Sequence, residues 1–298
     1  MLYQLGTAVV EEKEKVILYF KDQYIDLDSL LARIKPALKI NSLFEITQEW
    51  TYWTDQITNI LSSTSTFNSE ELLYEGDINW QAPILYPNKL ICIGANYTDH
   101  IEEMGKEKTI VKPYSFLKPA STTLRGHRKK VTLPKASNMI DWEAELAVVI
   151  GKHAKNVKKE DALTYVAGYT LFNDLSDREA IANSDGLGID WVVHKAHDGF
   201  APMGPLVTPA QFIPDPQSLK IKLEVNNEIK QDSNTSKMIF TVAEIIEHLS
   251  SIMTLEPGDI IATGTPAGAG FARNEFLKSG DKVVVKIEKL GTLTTHIQ

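Results

Sequence analysis

Cysteine is nearly absent from this chain: there is one among 298 residues, at position 92. A single cysteine cannot form a disulfide within the chain, so a disulfide-stabilised fold is excluded. Cys92 lies in the apolar run from Leu90 to Ile93, which predicts a buried small hydrophobic side chain rather than a catalytic thiol. A lone thiol is typical of a reducing compartment, and we expect a cytoplasmic protein.

The chain also lacks long hydrophobic runs and an excess of positive charge. No apolar run approaches the length of a membrane span, and the first residues do not follow the basic-then-apolar order of a signal peptide. We therefore expect no membrane partner. The net charge of -8 argues against nucleic acid as a partner, because phosphate binding requires a basic surface. A small anionic substrate needs only a local positive pocket.

Most strand patterns lie in the second part of the chain. Apolar and β-branched runs predict strands at 90–93, 130–133, 143–150, 165–172, 219–225, 260–263 and 282–287. Helix patterns are fewer there, with the better ones at 160–165 and 242–253. This mixture predicts a mainly β fold with scattered helices (α+β) and argues against an alternating βαβ sheet.

Residues 1–85 carry no chemical constellation and predict a small N-terminal α+β domain. A strand is predicted at 16–20 with a hairpin partner at 24–28, and short helices at 27–38 and 44–60. Pro83 and Pro87 disfavour helix and place the junction between domains. We therefore expect the chemical domain to span residues 86–298.

The pattern Glu143-Ala-Glu145 is the most informative feature of the sequence. It opens an apolar segment that predicts a strand, on which side chains two apart point the same way. A second predicted strand ends at Asp174, which can supply a third carboxylate. Like charges held together require a proton or a cation between them. Such a set suits Mg2+, Mn2+ or Ca2+ rather than zinc. Two surface glutamates on an edge strand are the alternative.

A histidine and a glutamate follow the predicted strand at 90–93. Asn96 is the expected N-cap of a short helix that ends near Gly105. His100 and Glu103 then share a helical face, and a carboxylate beside an imidazole raises its basicity, as a general base requires. A solvent-exposed pair is the alternative. The charged segment 107–112 is expected to be either a mobile lid or an ordinary loop.

Other residues can meet an anionic substrate. Arg178 and Lys195 can place positive charge near a substrate or a developing enolate, although structural salt bridges are the commoner fate of such residues. The turn Thr263–Gly270 has backbone amides that can bind a carboxylate, and it lacks the Gly-Lys-Ser/Thr ending of a phosphate-binding loop. His194 and His197 flank Lys195, but their spacing matches no zinc motif.

Six motifs carry a family resemblance. They follow one another along the chain at 93–104, 116–119, 141–151, 173–178, 195–205 and 263–268. With these motifs the chain, from about Lys89 to Ile297, resembles the fumarylacetoacetate hydrolase superfamily, and especially its acylpyruvase and fumarylpyruvate hydrolase-like members. The resemblance does not extend to residues 1–85.

The resemblance implies a mixed β-sandwich roll that works as a homodimer and binds Mg2+ or Mn2+. It also implies a dyad that activates water once a lid closes. By their match to the family, the implied site residues are catalytic at His100, Glu103 and Lys195, metal-binding at Glu143, Glu145 and Asp174, and substrate-binding at Arg178, Gly264 and Thr265.

The chain departs from the usual family pattern on the substrate side. Ile181 stands where many members have Gln, His194 replaces a usual Gly, and His197 replaces a usual Phe. The segment 182–190 is a few residues longer than usual. These departures leave the metal triad intact, so the chemistry is better supported than the substrate.

The sequence thus predicts a metal-dependent hydrolase that cleaves a carbon–carbon bond in a 2,4-dioxo acid of the acylpyruvate type through a metal-chelated enolate. His100, oriented by Glu103, is expected to activate water, and Lys195 is expected to stabilise the enolate together with the metal. One alternative is decarboxylation or tautomerisation of a 2-oxo diacid such as oxaloacetate. Another is a non-catalytic fold with a structural Ca2+ site.

Overall fold

The computed structural model describes residues 2–105, 110–182 and 188–298. Up to residue 85 the elements are β1 (Gln4–Val10), β2 (Lys13–Phe20), β3 (Gln23–Asp26), α1 (Leu27–Ile34), α2 (Leu43–Gln48), α3 (Trp50–Ser63), β4 (Leu72–Leu73) and β5 (Asn79–Trp80).

The later strands are β6 (Leu90–Gly94), β7 (Tyr114–Leu117), β8 (Leu124–Arg125), β9 (Lys130–Val131), β10 (Ile140–Asp141), β11 (Ala144–Ile150), β12 (Val166–Asn173), β13 (Ser176–Asp177), β14 (Ala201–Pro202), β15 (Leu206–Pro209), β16 (Lys220–Val225), β17 (Glu228–Asn234), β18 (Ile260–Ala262), β19 (Lys282–Ile287) and β20 (Gly291–Ile297). The later helices are α4 (Thr98–Glu103), α5 (Ala120–Thr123), α6 (Lys159–Ala162), α7 (Arg178–Ala182), α8 (Trp191–Lys195), α9 (Val242–Ile252) and α10 (Gly270–Arg273).

Two sheets dominate the architecture. Among the described residues, eleven strands form one sheet in the order β4-β3-β2-β1-β15-β12-β11-β18-β6-β7, with β5 beside β1. Five strands form the other, in the order β17-β16-β19-β20-β9. Most neighbours are antiparallel, while β6 with β18 and β9 with β20 are parallel. The mainly β prediction with scattered helices is confirmed.

Strand β11 lies in the middle of the protein and is buried on both faces. On one face, Leu146 and Val148 pack in a cluster with Leu223 of the second sheet. On the other, Val149 packs in a cluster that includes Leu18 of the N-terminal part. Burying such a side chain contributes about 1.5–3 kcal/mol. Because side chains alternate along a strand, the side chains of residues 143 and 145 point to the same face as Val149. The packing of β11 between the two clusters therefore sets the direction in which they point.

The N-terminal strands continue the larger sheet. Strand β1 pairs with β15, with Leu5 opposite Val207. The hydrophobic cluster that contains Leu5 also contains Cys92 of β6 and Ile260 of β18. The sheet and this cluster therefore cross the boundary predicted at residue 85, and that boundary stays a prediction.

Several predicted elements differ from those in the structure. The helix expected at 44–60 is two helices, which meet at Glu49 with φ -130° and ψ 46°. The helix expected at 27–38 ends at Ile34, because Pro36 disfavours the helical conformation at Lys35. The strand patterns omitted β17, whose sequence Glu-Ile-Lys-Gln-Asp-Ser-Asn is too polar to be recognised. It pairs with β16 at the edge of its sheet, a tertiary contact that the pattern does not contain.

Cys92 is fully buried in β6 and forms no disulfide. Burial raises the pKa of its thiol well above the ordinary value. The predicted role as a small buried hydrophobic residue is confirmed. In the ranges that the structure describes, no helix combines the length and the apolar character needed to cross a bilayer.

Candidate active site and metal centre

Three carboxylates meet where β11 begins and β12 ends. The antiparallel register sets Ala144 opposite Asn173, so Glu143 and Glu145 come beside Asp174. One carboxylate oxygen from each lies within 4.8 Å of the other two. All three side chains are buried. The triad expected from the sequence is therefore assembled, and the alternative of surface glutamates is wrong.

Two of the cationic side chains singled out in the sequence surround this triad. The Lys195 ammonium donates to a carboxylate oxygen of Glu143 and to one of Asp174, each at 2.8 Å. The Arg178 guanidinium donates to the other oxygen of Glu143, and its Nε donates to Asp141 at 2.8 Å. Both cations thus make structural ion pairs and also place positive charge at the carboxylates.

A third cation, Lys118, was not identified from the sequence as a site residue. Its buried Nζ donates to the Asp174 carboxylate, to the Leu175 carbonyl at 3.2 Å and to the Phe200 carbonyl at 2.7 Å. These three acceptors use all three ammonium hydrogens. The only signal in the sequence was its place in the motif at 116–119, since a lysine before a proline otherwise predicts an exposed side chain.

Glu143 and Glu145 differ in how readily their carboxyl groups ionise. Burial raises the pKa of Glu145 well above its ordinary value, and the charges of Asp174 and Glu143 raise it further. Burial acts in the same direction on Glu143, but Lys195 and Arg178 outweigh it and hold the pKa of Glu143 below its ordinary value. Among the described residues no cationic side chain pairs with Glu145. This carboxyl therefore requires a proton or an added cation.

The donor set at the triad fits a divalent cation. Three buried carboxylates are hard oxygen ligands, which suit Mg2+, Mn2+ and Ca2+ alike. Two buried polar atoms next to them, the Tyr97 hydroxyl and the Asn173 amide nitrogen, have no hydrogen-bond partner within the described residues. Orphaned polar atoms of this kind are expected where an ion or water completes a site.

The expected His–Glu pair forms on helix α4. The His100 Nδ1 lies 3.4 Å from a Glu103 carboxylate oxygen. The same carboxylate accepts the Gly268 amide at 2.9 and 3.0 Å, which fixes its position. The side chains of His100 and Glu103 are 12% and 21% exposed, so the pair is only partly open to solvent. Half of the segment 107–112, predicted to be a lid or an ordinary loop, lies outside the described residues, at 107–109.

The predicted cap of this helix is wrong. Helix α4 begins at Thr98 after Tyr97 and has no side-chain cap. The Asn96 side chain instead donates to the carbonyls of Phe240 at 3.0 Å and Thr263 at 2.8 Å. Asn96 therefore ties the loop before the dyad to the glycine-rich turn, a contact that local sequence does not encode. Gly105 follows the helix with φ 63°, as expected of a C-terminal stop.

The glycine-rich turn binds carboxylates, but they belong to the protein. The Gly264 amide donates to Glu145 at 2.7 Å, as the Gly268 amide does to Glu103. The substrate-binding role expected of Gly264 needs correction, because its amide is already used to position a triad carboxylate. Gly264 has φ 95°, and a Cβ there would lie 2.8 Å from the Asn96 Cβ, so only glycine fits this turn.

Thr265 faces the cavity as expected of a substrate-side residue. Its hydroxyl donates to the Ala144 carbonyl at 2.9 Å and accepts from the Gln231 amide at 2.9 Å. The hydroxyl hydrogen is therefore engaged within the protein.

The two histidines that flank Lys195 both contact Asp177. His194 Nδ1 meets the Asp177 carbonyl, and His197 Nε2 lies 3.2 Å from the Asp177 carboxylate. Burial, followed by the charges of Lys195 and Arg178, lowers the pKa of His194 to about 3, so this imidazole is neutral near pH 7.

A single cavity of about 390 Å³ joins these groups. The residues predicted from the sequence that line it are His100, Glu143, Asp174, Arg178, Lys195 and Thr265. Glu103 contacts the lining residue His100, and Gly264 donates to Glu145, which belongs to the triad but does not line the cavity. His100, two carboxylates of the triad and a buried lysine therefore share one cavity of small-molecule size.

This fold and site define a class of mainly β proteins in which buried carboxylates that can hold a divalent ion lie beside a His–Glu pair. Residues 89–298 match the family model described as fumarylacetoacetate (FAA) hydrolase C-terminal. The chain belongs to the fumarylacetoacetate hydrolase superfamily, whose members are enzymes.

Relatives within the superfamily carry different activities in their names. A mitochondrial oxaloacetate tautomerase of Homo sapiens is 40% identical over 223 residues, which cover 74% of this chain and 70% of the relative. A solved maleylpyruvate hydrolase of Sphingobium sp. SYK-6, in complex with manganese (II) and pyruvate, is 28% identical over 99% of this chain and 98% of its own, with a TM-score of 0.77. A fumarylpyruvate hydrolase of Pseudomonas aeruginosa, in complex with Mn2+ and pyruvate, is 30% identical over 72% and 90%, with a TM-score of 0.65.

Proposed function

We propose that this chain is a divalent-metal-dependent hydrolase that cleaves a carbon–carbon bond in an acylpyruvate-type 2,4-dioxo acid. The observation that carries the proposal is that His100, which Glu103 contacts, lines the same cavity as Glu143 and Asp174 of the carboxylate triad. The similarity to two pyruvate-bound hydrolases supports the same reaction class.

The residues of the site suit this reaction in three steps. His100, held by Glu103, takes a proton from water at the imidazole nitrogen that Glu103 does not contact. The water oxygen adds to the distal carbonyl carbon. The bond between that carbon and the methylene then breaks, and its electron pair leaves as the enolate of pyruvate. Lys195 provides positive charge near the enolate oxygen. The proton that His100 took from water passes to the methylene carbon and completes pyruvate, and the other product leaves as a carboxylic acid that ionises in solution.

Glu143, Glu145 and Asp174 are the residues that would hold the metal. When bound, a divalent ion supplies Lewis-acid stabilisation of the negative charge that develops on the 2-oxo acid. Arg178 keeps Glu143 ionised and oriented, since it donates to one oxygen of this carboxylate.

The test is hydrolysis of acetylpyruvate, followed by loss of enol absorbance with Mn2+, Mg2+ or chelator. We expect metal-dependent cleavage, and we expect His100→Ala to lose about 10²-fold or more in kcat while it retains Mn2+. His153→Ala, which removes an exposed histidine outside the cavity, is the matched control. Full activity in His100→Ala would refute the assignment of the base.

Tautomerisation of oxaloacetate is a second candidate, because relatives 40% identical to this chain are named oxaloacetate tautomerases. The same His100–Glu103 pair can move a proton between carbon and oxygen without water attack, and decarboxylation uses the same enolate. Equilibration of oxaloacetate tautomers, with no cleavage of any acylpyruvate, would replace the hydrolase proposal. Stabilisation by Ca2+ with no turnover of either substrate would indicate a structural ion.

We also propose a cytoplasmic homodimer, on the strength of the family resemblance and of the lone buried Cys92. Light scattering during size-exclusion chromatography tests the dimer, and a monomer at micromolar concentration would contradict it. Imaging of the tagged protein in its own cell tests the compartment.

A further inference from the structure

The cavity changes from charged to apolar between its floor and its mouth. At the floor, Asp174 is 1% exposed and Lys195 is 2% exposed. At the mouth, Ile189, Tyr114 and Phe271 are 43%, 49% and 54% exposed. All five line the same cavity. A ligand whose polar end reaches the floor must therefore extend its other end along an apolar wall.

The aromatic part of this wall has few polar atoms left for a ligand. Trp191 stacks on Phe116 with ring centroids 4.4 Å apart, and its indole nitrogen donates to the Tyr114 hydroxyl at 2.6 Å. The indole has no second donor, so its ring presents a flat apolar surface. Met104 and Ile181 extend the wall with aliphatic side chains.

In the described part of the cavity lining, the lysine and the arginine both lie at the floor. Among the described lining residues, Lys195 and Arg178 are engaged with triad carboxylates and Asp141. His194 is neutral near pH 7, as described above. A second carboxylate on the ligand would lie against the aliphatic and aromatic side chains described above, none of which is cationic, and its burial there costs desolvation free energy.

The charge balance at the floor also suits one ligand carboxylate. The side chains of Asp141, Glu143, Glu145 and Asp174 face those of Lys118, Arg178 and Lys195, so four acidic groups meet three basic ones. When all are ionised, this leaves one negative charge, and a divalent ion turns it into one positive charge. A single carboxylate neutralises that charge, while a second leaves an excess negative charge in a partly desolvated cavity.

The cavity is also larger than a four-carbon acid requires. Its volume of about 390 Å³ corresponds to roughly thirteen water-sized groups at ~30 Å³ each, and oxaloacetate has nine non-hydrogen atoms.

We propose that the cognate substrate is a monocarboxylate with an extended alkyl or aryl group on its distal carbonyl, and that Ile181, Ile189 and Trp191 select this group over a second carboxylate. Ile181 lies on α7 three residues after Arg178, so one helical face carries both the charged floor and the apolar wall. The inference rests on the proposed function for the reaction, but the preference for an apolar tail is testable without turnover.

The experiment measures binding of uncleavable 2-oxo acids to the Mn2+-loaded protein by isothermal titration calorimetry. 2-Oxohexanoate and 2-oxoadipate have the same carbon number and differ in a second carboxylate. We expect at least tenfold tighter binding of 2-oxohexanoate, and a further gain of up to about fourfold per added methylene toward 2-oxooctanoate. Equal or tighter binding of 2-oxoadipate, or no binding of any of the three acids, would overturn the proposal.

Two variants assign the preference to the wall. Ile181→Arg is expected to shift the ratio of the two affinities at least tenfold toward 2-oxoadipate. The control Ile252→Arg, which replaces an isoleucine 59% exposed on α9 outside the cavity, is expected to leave the ratio unchanged. Phe271→Ala does not add a buried charge and is expected to reduce the gain from hexanoate to octanoate. An unchanged affinity ratio in Ile181→Arg together with an unchanged gain from hexanoate to octanoate in Phe271→Ala would overturn the assignment to this wall.

Failure of the two proposals can be told apart. Tight binding of 2-oxooctanoate without cleavage of any acylpyruvate would leave the apolar preference standing and remove the hydrolase. Cleavage of acetylpyruvate together with tighter binding of 2-oxoadipate would support the hydrolase and remove the apolar preference.

Discussion

Replacing Lys118 by methionine tests whether the buried cations hold the site together. The Lys118 ammonium has no exposed surface and donates to Asp174 and to the carbonyls of Leu175 and Phe200. Methionine retains most of the volume, so the cavity contribution is small. The variant loses the charge and leaves three buried acceptors short of a donor.

The expected loss follows from these contacts. Breaking a buried ion pair by removal of one partner costs about 3–5 kcal/mol. The Asp174 carboxylate keeps Lys195 at 2.8 Å, which places the expected loss near the lower limit, about 3 kcal/mol. At roughly 2 °C per kcal/mol for a chain of this size, Tm should fall by about 6 °C.

Urea unfolding in the presence of chelator measures this loss without a contribution from bound metal. Lys286→Met is the matched control, because the Lys286 side chain is 46% exposed and pairs with Glu224 at the surface. Such a pair contributes less than about 1 kcal/mol. A Lys118→Met protein within 1 kcal/mol of wild type would refute the view that Lys118 neutralises a buried carboxylate.

Three further outcomes are expected. Saturating Mn2+ should stabilise the protein, by about 2.7 kcal/mol at a hundredfold excess over Kd. Thermal unfolding should show a smaller stabilisation in Glu145→Gln. Equal stabilisation of the variant and of wild type would contradict Mn2+ binding at the triad. Burial lowers the pKa of His127 from 6.5 to about 4, so its contribution to folding is present above pH 6.5 and is lost as the pH falls toward 4. This loss is at most about 3 kcal/mol. Urea unfolding at pH 7 and pH 5 should show that the free energy of unfolding changes less with pH in His127→Gln than in wild type. Gly264→Ala should lower both Tm and Mn2+ affinity, because φ is 95° and the new Cβ meets Asn96; a normal Tm and affinity would show that the turn can relax.

The carboxylate triad could be predicted because strand geometry has a period of two. Glu143 and Glu145 had to share a face once the apolar residues after them formed a strand. The His100–Glu103 pair followed in the same way from the helical period. Both rules are local, and the strand with Glu143 and Glu145 and the helix with His100 and Glu103 have the expected arrangement in the structure.

The partners of these residues could not be predicted, because they come from distant parts of the chain. Lys118 reaches Asp174 across 56 positions, and the Gly264 amide reaches Glu145 across 119. Asn96 looked like a helix cap by local rules, yet its amide is used to join two loops 167 positions apart. Local patterns describe which residues can interact, but the competition between partners is decided by packing.

The sequence by itself determined the class of fold, the grouping of the triad carboxylates and the pairing of His100 with Glu103, because each depends on residue type and short-range period. Only the tertiary structure decided how these groups are charged and what surrounds them. Burial, rather than any motif, raises the pKa of Glu145 and lowers that of His194. The same folding brings Trp191, Phe116 and Phe271 from separate segments to one wall, and the proposed choice among oxo acids rests on that wall.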